Sequence, residues 1–147
     1  MSRPIYETTQ TLETEERLIK LIAEASKSKP IKLGMKYKVD YAMTRNGVIE
    51  GWVELKKRSF NSDKYDEYMV SLDKYMTAKR LSEDTGKPCT LVVEFNDKIF
   101  IADLSKVQFR LGMGGRKDRG DSEDYEPCCW IPISEFKCLC ESPWGRK

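Results

Sequence analysis

The first clear pattern in the chain is a helical stripe: Leu12, Leu18, Ile19, Leu21, Ile22 and Ala25 recur at the spacing of one helix face, with acids in the first turns. It predicts an amphipathic helix over residues 11–26, ended by Ser26 to Pro30. Two runs of alternating character follow, Lys36 to Thr44 and Val48 to Arg58. Between them stands Arg45-Asn46-Gly47, a strong turn signal, so the pair reads as a β-hairpin. A polar connector, Ser59 to Asp66, leads to a second predicted helix over about 67–84, closed by Gly86 and Pro88. Cys89 to Phe95 and Lys98 to Leu104 read as another strand pair around Asn96-Asp97. Residues 112–124 are glycine-rich and charged without apolar periodicity, the pattern of a mobile basic loop. Cys128 to Ile133, which contains Pro132, then reads as an edge strand before a C-terminal tail. Helix, two strands, helix, two strands predicts an α/β domain with a central mixed sheet flanked by helices.

The length, 147 residues, and 39% hydrophobic content suit one domain over residues 1–147, with its core at about 10–104. Net charge is only +2, but it is unevenly spread. Residues 27–58 carry nine Lys or Arg against three acids, whereas residues 59–104 carry six basic groups against nine acids. The positive segment is the hairpin, where a phosphate-bearing substrate would gain from it. No run of 18 apolar residues occurs and the first residues are polar, so a cytoplasmic protein without a membrane span is expected, in the host-cell cytoplasm if the gene is phage-borne. Five cysteines without a secretion signal point to reduced thiols. Cys128-Cys129 with Cys138-x-Cys140 lacks the two Cys-x-x-Cys knuckles of a zinc ribbon, which leaves zinc as a minor alternative. The chain has no histidine. That absence removes Ser-His-Asp and Cys-His hydrolases and His-Glu-x-x-His metalloproteases, and leaves chemistry to carboxylates, lysines, tyrosines and thiols.

The hairpin carries the candidate chemistry. If Tyr37, Val39, Tyr41 and Met43 share an apolar face with Ile49, Gly51, Val53 and Leu55, then Val39 stands across from Leu55 and Tyr41 from Val53. That register needs an odd loop, Asn46-Gly47-Val48. It sets Asp40 directly opposite Glu54, with Lys56 next on the same face. A two-residue Asn46-Gly47 turn would instead pair Asp40 with Val53 and part the carboxylates. Facing carboxylates repel unless a cation lies between them, and a hard divalent ion such as Mg²⁺ is suited to such oxygens. Lys56 would stabilise charge developing on phosphorus or orient the attacking water.

Asp40, followed fourteen residues later by Glu54-Leu55-Lys56, between one helix bearing glutamates and a further helix and strand, resembles the PD-(D/E)XK nuclease superfamily over roughly residues 10–104. Val39 occupies a position where the family often has proline. The overall length and the Lys74-bearing second helix resemble those of small phage-type nucleases, similar to Holliday-junction resolvases and to VRR-NUC proteins. The resemblance implies a restriction-endonuclease-like core and Mg²⁺- or Mn²⁺-dependent hydrolysis of DNA, with structure-specific cleavage and a homodimer if the resolvase likeness extends that far. It further implies a metal held by Asp40, Glu54, the Leu55 carbonyl and a glutamate of the first helix. Glu13, Glu15 and Glu16 compete for that last place; helical spacing puts Glu15 on the apolar stripe, although it could equally complement the helix N-terminus. Lys74, sharing a polar face with Ser71 on the second helix, is a candidate phosphate contact, as are Lys38, Lys57 and Arg58. Arg116, Lys117 and Arg119 could clamp backbone, and Tyr65, Tyr68 and Tyr75 fit helix packing better than base stacking. The alternative is a nucleic-acid-binding or interaction module that keeps the fold without catalysis.

Overall fold

The structure is a computed structural model that describes residues 9–34, 37–115 and 125–144. The amphipathic stripe forms α1 (Thr9–Ser26), with Leu18, Ile19 and Ile22 buried. The chain continues through β1 (Lys29–Lys32), β2 (Tyr41–Arg45), β3 (Val48–Lys57), β4 (Glu67–Ser71), α2 (Leu72–Thr85), β5 (Cys89–Glu94), β6 (Lys98–Asp103), β7 (Arg110–Gly115), β8 (Tyr125–Pro132), a 3₁₀ turn (Ile133–Glu135) and β9 (Lys137–Glu141). Six strands form one sheet in the order β1-β2-β3-β5-β6-β9, and β4-β8-β7 form a second. The large sheet is mixed: β3 and β5 run parallel and its other neighbours antiparallel. α1 covers one face over Tyr41, Met43, Val53, Leu55 and Val92; the other face packs Leu91 and Val93 against α2 and the second sheet. The alternation of β5, with odd residues to one core and even residues to the other, is the period of two expected of a strand buried on both sides.

The hairpin departs instructively from the expected register. Asn46 and Gly47 both have positive φ, 53° and 77°, and Arg45 pairs with Val48, so the loop has two residues and not three. The pairing nonetheless becomes Met43 with Gly51 and Tyr41 with Val53, because the register shifts between Met43 and Thr44 and leaves Glu50 without an opposite residue. A β-bulge therefore supplies the odd residue that the turn does not. A second irregularity ends β2 early. Lys38 has φ 60°, and the Asp40 amide donates to the Val53 carbonyl, so Asp40 stands just outside the ladder and not square to Glu54. Val39 accordingly joins the core with α2, on the opposite side from Tyr41 and Leu55, contrary to the shared face expected of it.

Three further expectations fail for physical reasons. Residues 67–71, expected as the start of the second helix, are β4; Tyr68 and Val70 alternate inward, and Ser71 ends the strand by accepting a hydrogen bond from the Lys74 amide as N-cap of α2. The helix closes at Gly86, φ 70°, as expected. Of the expected loop at 112–124, residues 112–115 belong to β7, and 116–124, with Arg116, Lys117 and Arg119, lie outside the described residues. A Cβ on Gly114 would collide with Met69 Sδ and stand 2.9 Å from the Trp130 ring, so this glycine allows close packing between strands. β8 is the central strand of its sheet and not an edge. Its prolines fit because Pro127 pairs only with β7 and Pro132 only with β4, so each ring faces an unpaired side.

Candidate active site

Glu54 lies on β3 facing α2, 3% exposed. Its Oε2 is 2.9 Å from Lys74 Nζ and 3.7 Å from Lys56 Nζ. Lys74 is held in place from two sides, because its ammonium also donates to the Lys38 carbonyl and its amide to Ser71. Burial, and next the charge of Asp40, push the Glu54 carboxyl above its ordinary range; Lys74 and Lys56 only partly oppose this. Asp40 turns its carboxylate into the plane of the sheet, where Oδ2 accepts from the Leu55 amide at 2.7 Å. Since N–H and C=O of one strand residue point the same way, the Leu55 carbonyl is directed to the edge where Asp40 sits.

Glu15 reaches the same edge from α1. Its Oε2 is 3.1 Å from Lys32 Nζ, and that ammonium is 3.9 Å from Asp40 Oδ1. Partial burial pulls the Lys32 pKa down, but its hydrogen bond to Glu15 and the charges of Glu15 and Asp40 reverse the direction to a net rise. Glu16 is exposed. Asp40, Glu54, Lys56, Glu15 and Lys74 thus gather at one end of β3, and Lys32 joins them unforeseen. Nothing local singles it out, since it stands on β1, where a lysine-rich edge strand with Pro30 is an ordinary way to protect a sheet edge.

Glu94 was also missed. It is 3% exposed on the α1 face of β5, with Arg17 at 3.1 Å and Lys57 at 3.4 Å. Lys57 is therefore turned away from Glu54, to the opposite face. Arg58 returns to the α2 face, over the Tyr68 ring at 5.3 Å, and Lys38 is exposed beside Lys74. The expected tyrosine helix face does not exist: Tyr68 is buried on β4, Tyr65 is exposed before it, and only Tyr75 lies on α2, packed on Phe109. The cysteines do not converge either. Cys128 and Cys129 sit on β8, Cys138 and Cys140 on β9 of the other sheet, and burial pushes the Cys129 thiol up to about 11.

The residues at the end of β3 offer hard oxygen donors, the two carboxylates and the Leu55 carbonyl, and Glu54 is destabilised as an anion by Asp40. A divalent cation would relieve that repulsion, so the donor set fits one. Among the described residues no cluster of three or more acidic, thiol or imidazole side chains is drawn together as a ready-made metal cage.

This arrangement, a mixed sheet with paired acids and lysine at the end of one central strand, is the architecture of a restriction-endonuclease-like domain. A solved Holliday junction resolvase, Hjc of Archaeoglobus fulgidus, has a similar fold: TM-score 0.60 at 10% identity, over 89% of this chain and 93% of that one. The family model for phage putative PDDEXK endonucleases matches residues 1–139, and the chain belongs to that family. The class is that of nucleases, hydrolases of phosphodiester bonds. Curated proteins contain no match to the chain. No helix among the described residues is long and apolar enough to cross a membrane.

Proposed function

We propose that the protein is a deoxyribonuclease that uses Mg²⁺ or Mn²⁺ and acts at the end of β3, with Asp40, Glu54 and the Leu55 carbonyl as metal-binding groups and Lys56 as catalytic lysine. The observation that carries this is the raised, buried Glu54 with Asp40 beside it and Lys56 on the same face. When bound, a divalent cation would supply Lewis acidity to the phosphate and acidify water. Lys56, 43% exposed, can turn from Glu54 to a phosphate oxygen or to the attacking water. Lys74 would hold Glu54 in position, and not act primarily as a phosphate contact, because it already spans Glu54 and the Lys38 carbonyl. Glu15 would enter the metal shell on release from Lys32. Arg58 and Lys38 would meet the DNA backbone. DNA with a branched or otherwise distinctive structure, as in the name of the Archaeoglobus resolvase, is the substrate we would try first, together with a homodimer to engage it.

Cleavage of linear, nicked and branched DNA with Mg²⁺ or Mn²⁺ should be robust in the wild type and fall by about 10²–10³-fold in Lys56→Ala. If neither metal supports cleavage of any of these substrates, the enzyme reading fails. A binding module without catalysis would then take its place. One observation favours that alternative: Lys74 against Glu54, and Lys32 between Glu15 and Asp40, already balance the acids.

A further inference from the structure

Glu54, Lys56 and Arg58 follow at steps of two along β3 and its extension, so they share one face, and Arg58 stands roughly 7 Å along the strand direction from Lys56. Arg58 is also the first wall of a cavity of about 930 Å³ between the second sheet and the connector from β3 to β4. Phe60, Tyr65, Tyr68 and Trp130 line it as well. The cavity is at the upper end of what small-ligand sites occupy, roughly 300–1,000 Å³.

Its chemistry is that of a flat aromatic ligand with polar edges. Tyr65 is 54% exposed, its ring edge-on to Phe60 at 5.2 Å, and the pair offers ring surface at the mouth with the Lys64 ammonium 5.4 Å from each ring. The Tyr68 and Trp130 rings form part of its wall, whereas the Tyr68 hydroxyl and the Trp130 indole N–H are closed off from solvent and have no hydrogen-bond partner among the described residues. The glycine at 114 lets the Trp130 ring lie close against β7, where a Cβ would collide with it.

The charges around the cavity are mixed, Arg58 and Lys64 against Asp66 and Glu67. Asp66 and Glu67 line it; Glu67 is tied to Arg110 at 2.8 Å, whereas Asp66 is exposed. A neutral heteroaromatic ring entering there meets the rings of Phe60, Tyr65 and Trp130 and an acid able to accept from an exocyclic amine. Arg58, at the side towards Lys56, can meanwhile take the adjoining phosphate.

We infer that this cavity holds an unstacked nucleobase next to the cleavage site, so that the protein prefers DNA containing unpaired nucleotides to fully paired duplex. The inference rests on the nuclease reading for the identity of the polymer, and deepens it by naming which feature of the DNA is recognised. Base-on-aromatic stacking is sequence-tolerant, because every base has a π-face.

The test is a titration in EDTA of two labelled single strands of equal length, an oligothymidylate and a strand made only of abasic units, with a separate assay of duplex cleavage in Mg²⁺ or Mn²⁺. The two strands carry the same phosphate charge and differ only in bases. Wild-type protein should bind the oligothymidylate roughly tenfold or more tightly than the abasic strand. Tyr65→Ala, an exposed position whose fold is checked by its melting curve, should shrink that ratio to near one. Equal binding of the two strands by the wild type, no binding of either, or a ratio unchanged in Tyr65→Ala would overturn the pocket. Cleavage without base dependence removes the pocket alone; base dependence without cleavage keeps the pocket and removes the nuclease.

Discussion

Glu54 and Glu94 are both 3% exposed, stand on neighbouring parallel strands, and each has two cations close by. They lie on opposite faces of the same sheet. Around Glu94 the partners are Arg17 and Lys57, and Arg17 is also stacked on Trp144 at 4.1 Å, an arrangement that ties the middle of α1 to the sheet. Around Glu54 burial, and after it a second carboxylate, Asp40, raises the pKa. One buried acid is therefore satisfied by its surroundings and the other is left under tension. Local electrostatic tension of this kind marks a functional group more often than a structural one.

The sharpest break of that comparison is Glu54→Gln. Cleavage should fall by about 10²–10³-fold or more, as for other preorganised charged groups in active sites. Stability should move the opposite way. Because burial and Asp40 raise the Glu54 pKa above its ordinary 4.5, the folded protein holds this proton more tightly than the unfolded chain. The contribution to stability is thus full at acid pH and is lost as pH rises from about 4.5 through the higher folded value. Urea midpoints should show Glu54→Gln more stable than wild type at pH 8, with the gap closing towards pH 4; a variant less stable at pH 8 would refute the tension.

Lys74→Ala should come next. It leaves Glu54 with Lys56 alone at 3.7 Å, and should cost about 1–3 kcal/mol in the denaturant midpoint together with roughly a tenfold loss of cleavage. Cleavage at the wild-type rate would mean that Lys74 is only structural. Glu94→Gln is expected to separate the two acids: a loss of about 1–3 kcal/mol of stability, with cleavage by the folded protein within about threefold of wild type. If instead it abolished cleavage without destabilising, Glu94 would belong to the site. The smallest effect is expected for Lys57→Ala, whose ammonium is half exposed and screened by solvent. Its pair with Glu94 should contribute under about 1 kcal/mol, measured in the same unfolding series.

Much of the site is legible in the sequence, because Asp40, Glu54 and Lys56 are close along the chain and their spacing is a property of a strand pair. Glu15 stands out for the same reason, as its place on the α1 stripe needs only the helical repeat. Lys32 and Glu94 do not. Each is brought to its partners by a strand pairing or a helix from elsewhere in the chain, and nothing local distinguishes them from other charged residues. The second helix fails at its start for a related reason: Glu67-Tyr-Met-Val-Ser is compatible with either period until β8 is there to pair with it.

By itself, then, the sequence determined what depends on near neighbours: the apolar stripe of α1, the Asn46-Gly47 turn, the β5–β6 hairpin, the Gly86 stop and the motif that β3 carries. The tertiary structure decided how the feature that mattered most, the register of Asp40 against Glu54, was reached. The favoured two-residue turn and the register Tyr41 to Val53 are incompatible in a regular ladder. The bulge at Glu50 reconciles them because burial on both faces of β3 holds its far end in place, so the extra residue is expelled at the exposed tip. Likewise only packing sent Val39 to one core and Tyr41 to the other, turning Asp40 into the sheet plane where its carboxylate meets the Leu55 amide.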